Sequence, residues 1–285
     1  MGFWARSWAL TRMSFAVIDA DREMIWFPII AAFFSILFSV ALIVPTFVLA
    51  LLPEDISAPA EVAVLFVTYF GLAFIATFSN TCVVYTTKVR LSGGDATFLE
   101  SIGFALKRIH LILAWSLVSA SVGLFLRLLD AMAERAGLIG KILLSILRAI
   151  LASAWSLMTL FVIPSMVYRG LGPFAAIKDS MQTLRNTWGE SLFRYYGVGF
   201  AAFLCSIPCF MLIVGGFAAQ IPAITISLVT LGLLGLLTVS LVFSLASTVF
   251  NTALYHYATT GMPAGFDPEV LRGALRPRAS SGFSL

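Results

Sequence analysis

IWFPIIAAFFSILFSVALIVPTFVLALL, residues 25–52, carries no charged residue. A helix needs roughly 20 consecutive apolar residues to cross the hydrocarbon core of a bilayer, and this run alone exceeds that. Five more runs follow, at Val62–Thr87, Ile109–Leu126, Ile142–Tyr168, Leu192–Phe217 and Ile224–Tyr257. None alternates polar and apolar residues as the strands of a membrane barrel do. The pattern predicts an all-α fold, an integral membrane helical bundle of about six transmembrane helices forming a single polytopic membrane domain over residues 1–285.

Composition agrees with this reading. Of the 285 residues, 60% are hydrophobic and 11% charged, and the mean hydropathy is +0.99, whereas a soluble domain has about 25% charged residues. The stretch before the first span, residues 1–24, holds Trp4, Trp8, Arg6, Arg12 and Arg22 and no small-residue cleavage site. It reads as an interfacial helix rather than a secretory signal peptide. Residues 25–258 then contain the six spans with their elbow helices, and 259–285 form a cytoplasmic tail. Cys205 and Cys209, one helical turn apart in an apolar run, and Cys82 read as reduced, apolar thiols. Their spacing and setting suit neither a disulfide nor a zinc site, and no cofactor is expected.

Basic residues set the orientation. If the N-terminus, the Lys88–His110 and Arg169–Arg194 connections and the tail share one side, that side holds every lysine and arginine except Arg127, Arg135, Lys141 and Arg148. The positive-inside rule then makes both termini cytoplasmic, in the cell's inner membrane. The net charge of +4 describes a basic inner face suited to anionic lipid headgroups. With no Arg-rich patch interleaved with aromatics, no nucleic-acid partner is expected.

The chain also repeats itself. TFSNT at 77–81 returns as TVFNT at 248–252, each followed by a tyrosine, Tyr85 and Tyr255. The second, fourth and sixth spans lead into LSGGDATFLESIGFALKRI, RGLGPFAAIKDSMQTLRNTWGE and TTGMPAGFDPEVLRGALRPR. In each, glycine or proline breaks the span, a capped helix starts and basic residues close it. Thr97 with Glu100 fits a capping box, Pro173 takes a first helical position, and Asp267–Pro268–Glu269 supplies a cap, a proline and an acid. In the second, Phe174, Ile177, Met181, Leu184 and Trp188 form one face, and Lys178, Asp179, Gln182, Arg185 and Asn186 the other. SWALTR, SIGFALKR and SMQTLR each run from a serine to a basic group. The unit is an elbow helix, an outward span and an inward span, in a threefold repeat.

SWALTRMSFAVI with DREMIWFPI, and WSLMTLFVIPSMVYRGLGPFAAIKDSMQTL, resemble a set of uncharacterised prokaryotic polytopic membrane proteins. Those are related to the membrane domain that accompanies some glycerophosphodiester phosphodiesterases. The shared motifs are structural, so the resemblance implies a fold and not the hydrolytic activity.

Two groups of polar residues are candidate sites. Thr77, Asn80 and Thr81 with Thr248, Asn251 and Thr252 form intramembrane clusters, the asparagines about 10 Å from the inner boundary at 1.5 Å per residue. They serve either as interhelical glue or as a symmetric vestibule for a substrate or ion. Arg127, Asp130, Glu134, Lys141 and Arg148 belong to an outer hairpin turning at Gly137–Gly140, which brings Glu134 near Lys141 and Asp130 near Arg127 or Arg148. They read as a paired structural stripe, or as a charged ring around an opening between subunits. Tyr85, Tyr168 and Tyr255 are placed for an aromatic belt, and His110 and His256 are expected to be solvated. Pro28, Pro164 and Pro222 fall near span ends, while Pro45 and Pro208 kink their helices.

No G-x-S-x-G, H-E-x-x-H, P-loop or intramembrane carboxylate pair is present in the sequence. The expectation is a non-enzymatic integral membrane subunit or scaffold, a homo-oligomer or part of a larger membrane complex, its close packing allowed by small residues such as Gly197, Gly199, Ala201 and Ala202. The alternatives are a channel or transporter for a lipid or small solute and, third, a membrane-embedded enzyme.

Overall fold

In hydrocarbon the backbone has no water to bond, so an uninterrupted apolar run must satisfy its own amides, and the helix does so within one segment. A computed structural model of the chain describes residues 15, 17–19, 21–50, 58–187, 197–218 and 221–260, and among them there is no strand. A 3-10 turn, Arg22–Ile25, leads into α1 (Trp26–Ala50), followed by α2 (Ala58–Leu91) and the short α3 (Phe98–Lys107). Next come α4 (Ile109–Arg135), α5 (Leu138–Met158), α6 (Val162–Arg169), α7 (Pro173–Thr187), α8 (Gly197–Ala218) and α9 (Pro222–Thr260). Six stretches are long and apolar enough to cross a membrane, with α5 and α6 together making the fourth. The molecule is an all-α, multi-pass membrane bundle.

Helices α3 and α7 are the elbows, at the end of the bundle where α2, α6 and α9 finish. Each follows a glycine with positive φ, Gly93 at 81° and Gly170 at 67°, the conformation that ends a helix most easily without a Cβ. The Thr97 capping box forms as expected, with Glu100 N donating to Thr97 Oγ1 at 3.3 Å and Thr97 N to Glu100 Oε2 at 3.0 Å. Pro173 opens α7 and Pro222 opens α9, while Pro208 lies inside α8. The third elbow, the tail, most of the N-terminal helix, and the side chains of Pro45, Gly197, Gly199 and Trp188 lie outside the described residues.

The fourth span departs from the sequence reading. It is not one helix: α5 stops at Met158 and α6 begins at Val162, so the discontinuity lies inside the span and Pro164 in the first turn after it. Proline is tolerated there because a first-turn N–H has no intrahelical acceptor. The amide of Phe161, fully buried at the break, donates to Ser180 Oγ of α7 at 3.0 Å. An elbow side chain thus satisfies an orphan amide within the bundle.

Burial is concentrated at the elbow end, where Met24, Cys82, Ile112, Phe161, Val249 and Tyr255 belong to one core. Elsewhere the spans turn Phe33, Ile43, Phe125, Leu143, Met211 and Leu233 outward, as a lipid-facing surface requires. Since lipid tails are as apolar as leucine, the hydrophobic effect contributes little to packing the spans together. Polar bonds and close packing at the elbow end must supply the specificity.

Asp21, just before the first span, is 6% exposed. Arg90 Nη2 is 3.3 Å from its Oδ2, within ion-pair range but not aligned as a hydrogen bond, and 2.6 Å from Asp95 Oδ1. Burial raises the Asp21 carboxyl above its ordinary value, outweighing the opposing pull of Arg90. The folded protein therefore binds this proton more readily than the unfolded chain, so Asp21's contribution falls as pH rises through its folded pKa and is largest below about 4. Thermal midpoints followed from neutral pH towards pH 4 should show Asp21→Asn losing part of the wild type's gain on acidification. Identical pH profiles for the two proteins would refute this assignment.

Candidate functional site

Helix α7 places Ala176, Asp179 and Ser180 on one buried face, residues three and four apart that share a side of the helix. Phe174 and Met181, on the apolar face, are exposed. Asp179 is only 7% exposed, and the hydroxyl-bearing Ser165 and Tyr255 around it are fully buried. Ser165 donates to Asp179 Oδ2 at 2.8 Å and Tyr255 OH to the same oxygen at 2.7 Å. Arg169 Nη1 donates to Oδ1. A buried carboxylate is tolerable only when ionically paired and hydrogen-bonded, and this one is both. It joins an elbow to the ends of the fourth and sixth spans.

These contacts correct several expectations. Asp179 is not on a solvated face, and Tyr255 is a buried donor rather than a belt residue. Tyr168 meets Tyr255 edge-on at 5.2 Å between ring centres, and its hydroxyl is 3.1 Å from His256 Nδ1. His256 is therefore buried and partnered, not solvated. Tyr85 stacks on Phe104 of α3 at 4.2 Å. Beside this group, Lys88 Nζ lies 4.8 Å from the centre of the Tyr168 ring, and Arg108 Nη1 donates to the carbonyls of Met166 and Val167.

The serine-to-basic pattern also acquires a physical meaning. Ser101 Oγ is 2.7 Å from Thr86 Oγ1 of α2, and Ser180 accepts the Phe161 amide of the fourth span. Each elbow serine thus fastens its helix to the span preceding it.

The repeated Asn-Thr clusters meet where α2 packs on α9. Thr248 Oγ1 donates to Asn80 Oδ1 at 3.3 Å and to Ser244 O at 3.0 Å. Thr81 and Thr252 turn back on their own helices, to Thr77 O at 2.8 Å and Thr248 O at 2.7 Å. The two clusters share one helix interface, and Asn251 has no side-chain hydrogen bond among the described residues.

In the α4–α5 hairpin, the chain turns at Ala136–Gly137. Arg148 Nε lies 2.8 Å from Asp130 Oδ1, one of the two pairings expected for that carboxylate. Glu134, however, pairs with Arg127 at 3.7 Å and not with Lys141. Both lie on α4 seven residues apart, two turns along one face, a distance the long arginine spans.

An apolar cleft of about 580 Å³ opens between α1, α2 and α3, lined by Phe27, Phe34, Phe38, Phe74 and Ile102, with Ser79 at its edge. Among the described residues no group of three or more His, Cys, Asp or Glu is close enough to hold a metal ion.

No curated protein matches the chain. Residues 59–266 match a family model, a range that takes in α3, α7, the Asp179 network and both Asn-Thr clusters. The chain belongs to that family, the Family of unknown function DUF6159.

Proposed function

We propose that the protein is a non-enzymatic membrane subunit or scaffold of the inner membrane, homo-oligomeric or held in a larger complex. Both termini are cytoplasmic, and the basic inner face rests on anionic headgroups. The observation that supports this reading is how the polar groups within the bundle are used. Asp179 is taken up by Ser165, Tyr255 and Arg169, and Thr81, Thr248 and Thr252 bond their own helices or Asn80. Groups committed to holding spans together are those of an assembly element. The likeness to the membrane domain of glycerophosphodiester phosphodiesterases belongs to the same proposal and supports a structural role.

A second reading, a transporter or channel for a lipid or small solute, is favoured by the discontinuous fourth span and the apolar cleft. One pair of substitutions separates the two. Asn80→Ala with Asn251→Ala should cost about 0.6 to 2 kcal/mol of helix association, seen as a lower thermal midpoint, and native mass spectrometry of the parent should give a defined oligomer. A monomer that moves a solute or lipid across vesicles, with flux abolished by the double substitution while the fold survives, would overturn the scaffold.

A further inference from the structure

We propose that Lys88, Arg108 and His256, grouped around Tyr168 at the elbow end of the bundle, form a site for a phosphate group. Arg22, Arg90 and Arg169 each lie within ion-pair range of a carboxylate. Lys88 and Arg108 have no such carboxylate among the described residues. Lys88 is half-buried, and its ammonium, with three N–H donors, rests on the Tyr168 ring. It lies within Coulombic reach of both Arg108 and His256. Bringing cations together costs energy that an anion between them returns.

The donors are of the kinds a phosphate takes. Arg108 uses Nη1 on the last carbonyls of α6, which leaves the other N–H groups of its fork. Arg108 lies against Gly170, whose positive φ ends α6 beneath it. In the tautomer in which Tyr168 OH donates to Nδ1 of His256, the imidazole proton sits on Nε2 and that nitrogen is a donor. A planar fork, a point charge and a ring N–H together match the several oxygens of a phosphate. A lipid headgroup or a soluble phosphate compound could supply that group, because the site lies where three spans end.

The site rests on the preceding reading only in taking this end as cytoplasmic, and a test with soluble phosphate needs no sidedness. Full-length protein in neutral detergent would be titrated with inorganic phosphate. In parallel, protein reconstituted in phosphatidylcholine vesicles with or without phosphatidylglycerol would be compared by thermal midpoint. Lys88→Gln should weaken binding by about tenfold or more, the loss expected for one charge-assisted hydrogen bond. Lys88→Arg should restore it, and Arg127→Gln in the outer hairpin should leave it unchanged. A Lys88-dependent response to inorganic phosphate identifies a soluble ligand; one confined to phosphatidylglycerol identifies a headgroup. No response from the wild type in either arm, or one that Lys88→Gln leaves intact, overturns the site. If Lys88→Gln folds poorly, His256→Gln provides the same comparison.

Discussion

Asp179→Ala should destabilise the protein by about 2 to 6 kcal/mol, the cost of leaving two buried hydroxyls without their acceptor. Most of that loss is expected from the neutral partners. Arg169 is 50% exposed at its side chain and can turn to water, so its ion pair is heavily screened and contributes little. Ser165 and Tyr255 are fully buried and would each lose their acceptor, at about 1 to 3 kcal/mol apiece. Asp179→Asn keeps a carbonyl oxygen that can accept from both hydroxyls, as Oδ2 does, but loses the charge that strengthens those bonds, and should fall between the alanine variant and the parent. Asp95→Ala removes a carboxylate that is 79% exposed and should lie within about 0.5 kcal/mol of the wild type. Thermal or denaturant midpoints in one detergent would compare all three. An Asp179→Ala protein as stable as Asp95→Ala would mean that the network is incidental to the fold.

What the sequence revealed, and what it did not, follows the distance over which each cause acts. Spans are legible because hydrophobic length is a property of one continuous segment. The Thr97–Glu100 capping box is legible because its two partners lie three residues apart. Asp179 was not, because Lys178 and Gln182 beside it make a convincing polar face, while its partners are 14 and 76 residues away. One signal was nonetheless present: Cys82, Ser165 and Thr252 each stand three residues before a span-ending tyrosine. Small, bondable side chains at that position show where the inward spans converge. The break in the fourth span left a fainter trace, since Pro164 follows it instead of causing it and the Ser180 that stabilises it is on another helix. In the α4–α5 hairpin, sequence spacing put Glu134 beside Lys141 and left Asp130 to Arg127 or Arg148, whereas Asp130 takes Arg148 and Glu134 takes Arg127. That choice depends on how α5 is rotated against α4.

Gly232→Val should separate the α8–α9 hairpin, with a loss of about 1 to 3 kcal/mol or more. A Cβ at Gly232 would lie 2.6 Å from Ile213 Cγ1 and 2.8 Å from the carbonyl oxygen of Cys209. The isoleucine can change rotamer, but the carbonyl belongs to the backbone of α8, so only movement of the whole helix relieves the clash. In lipid such close backbone approach is itself the attraction, because dispersion and weak polar contacts replace the hydrophobic effect. Gly216 does the same from the opposite helix, where a Cβ would lie 3.1 Å from Leu228 Cβ, and Thr225 Oγ1 donates to its carbonyl at 2.8 Å. Gly215 is the internal control. Nothing lies within 4 Å of a Cβ built there, so Gly215→Ala should be neutral or should stabilise by up to about 1 kcal/mol through helix propensity. Opposite shifts in thermal midpoint from substitutions at Gly232 and Gly215, on facing helices of one hairpin, would show that α8 is held by proximity to α9. Equal shifts would mean that α8 is held by contacts elsewhere.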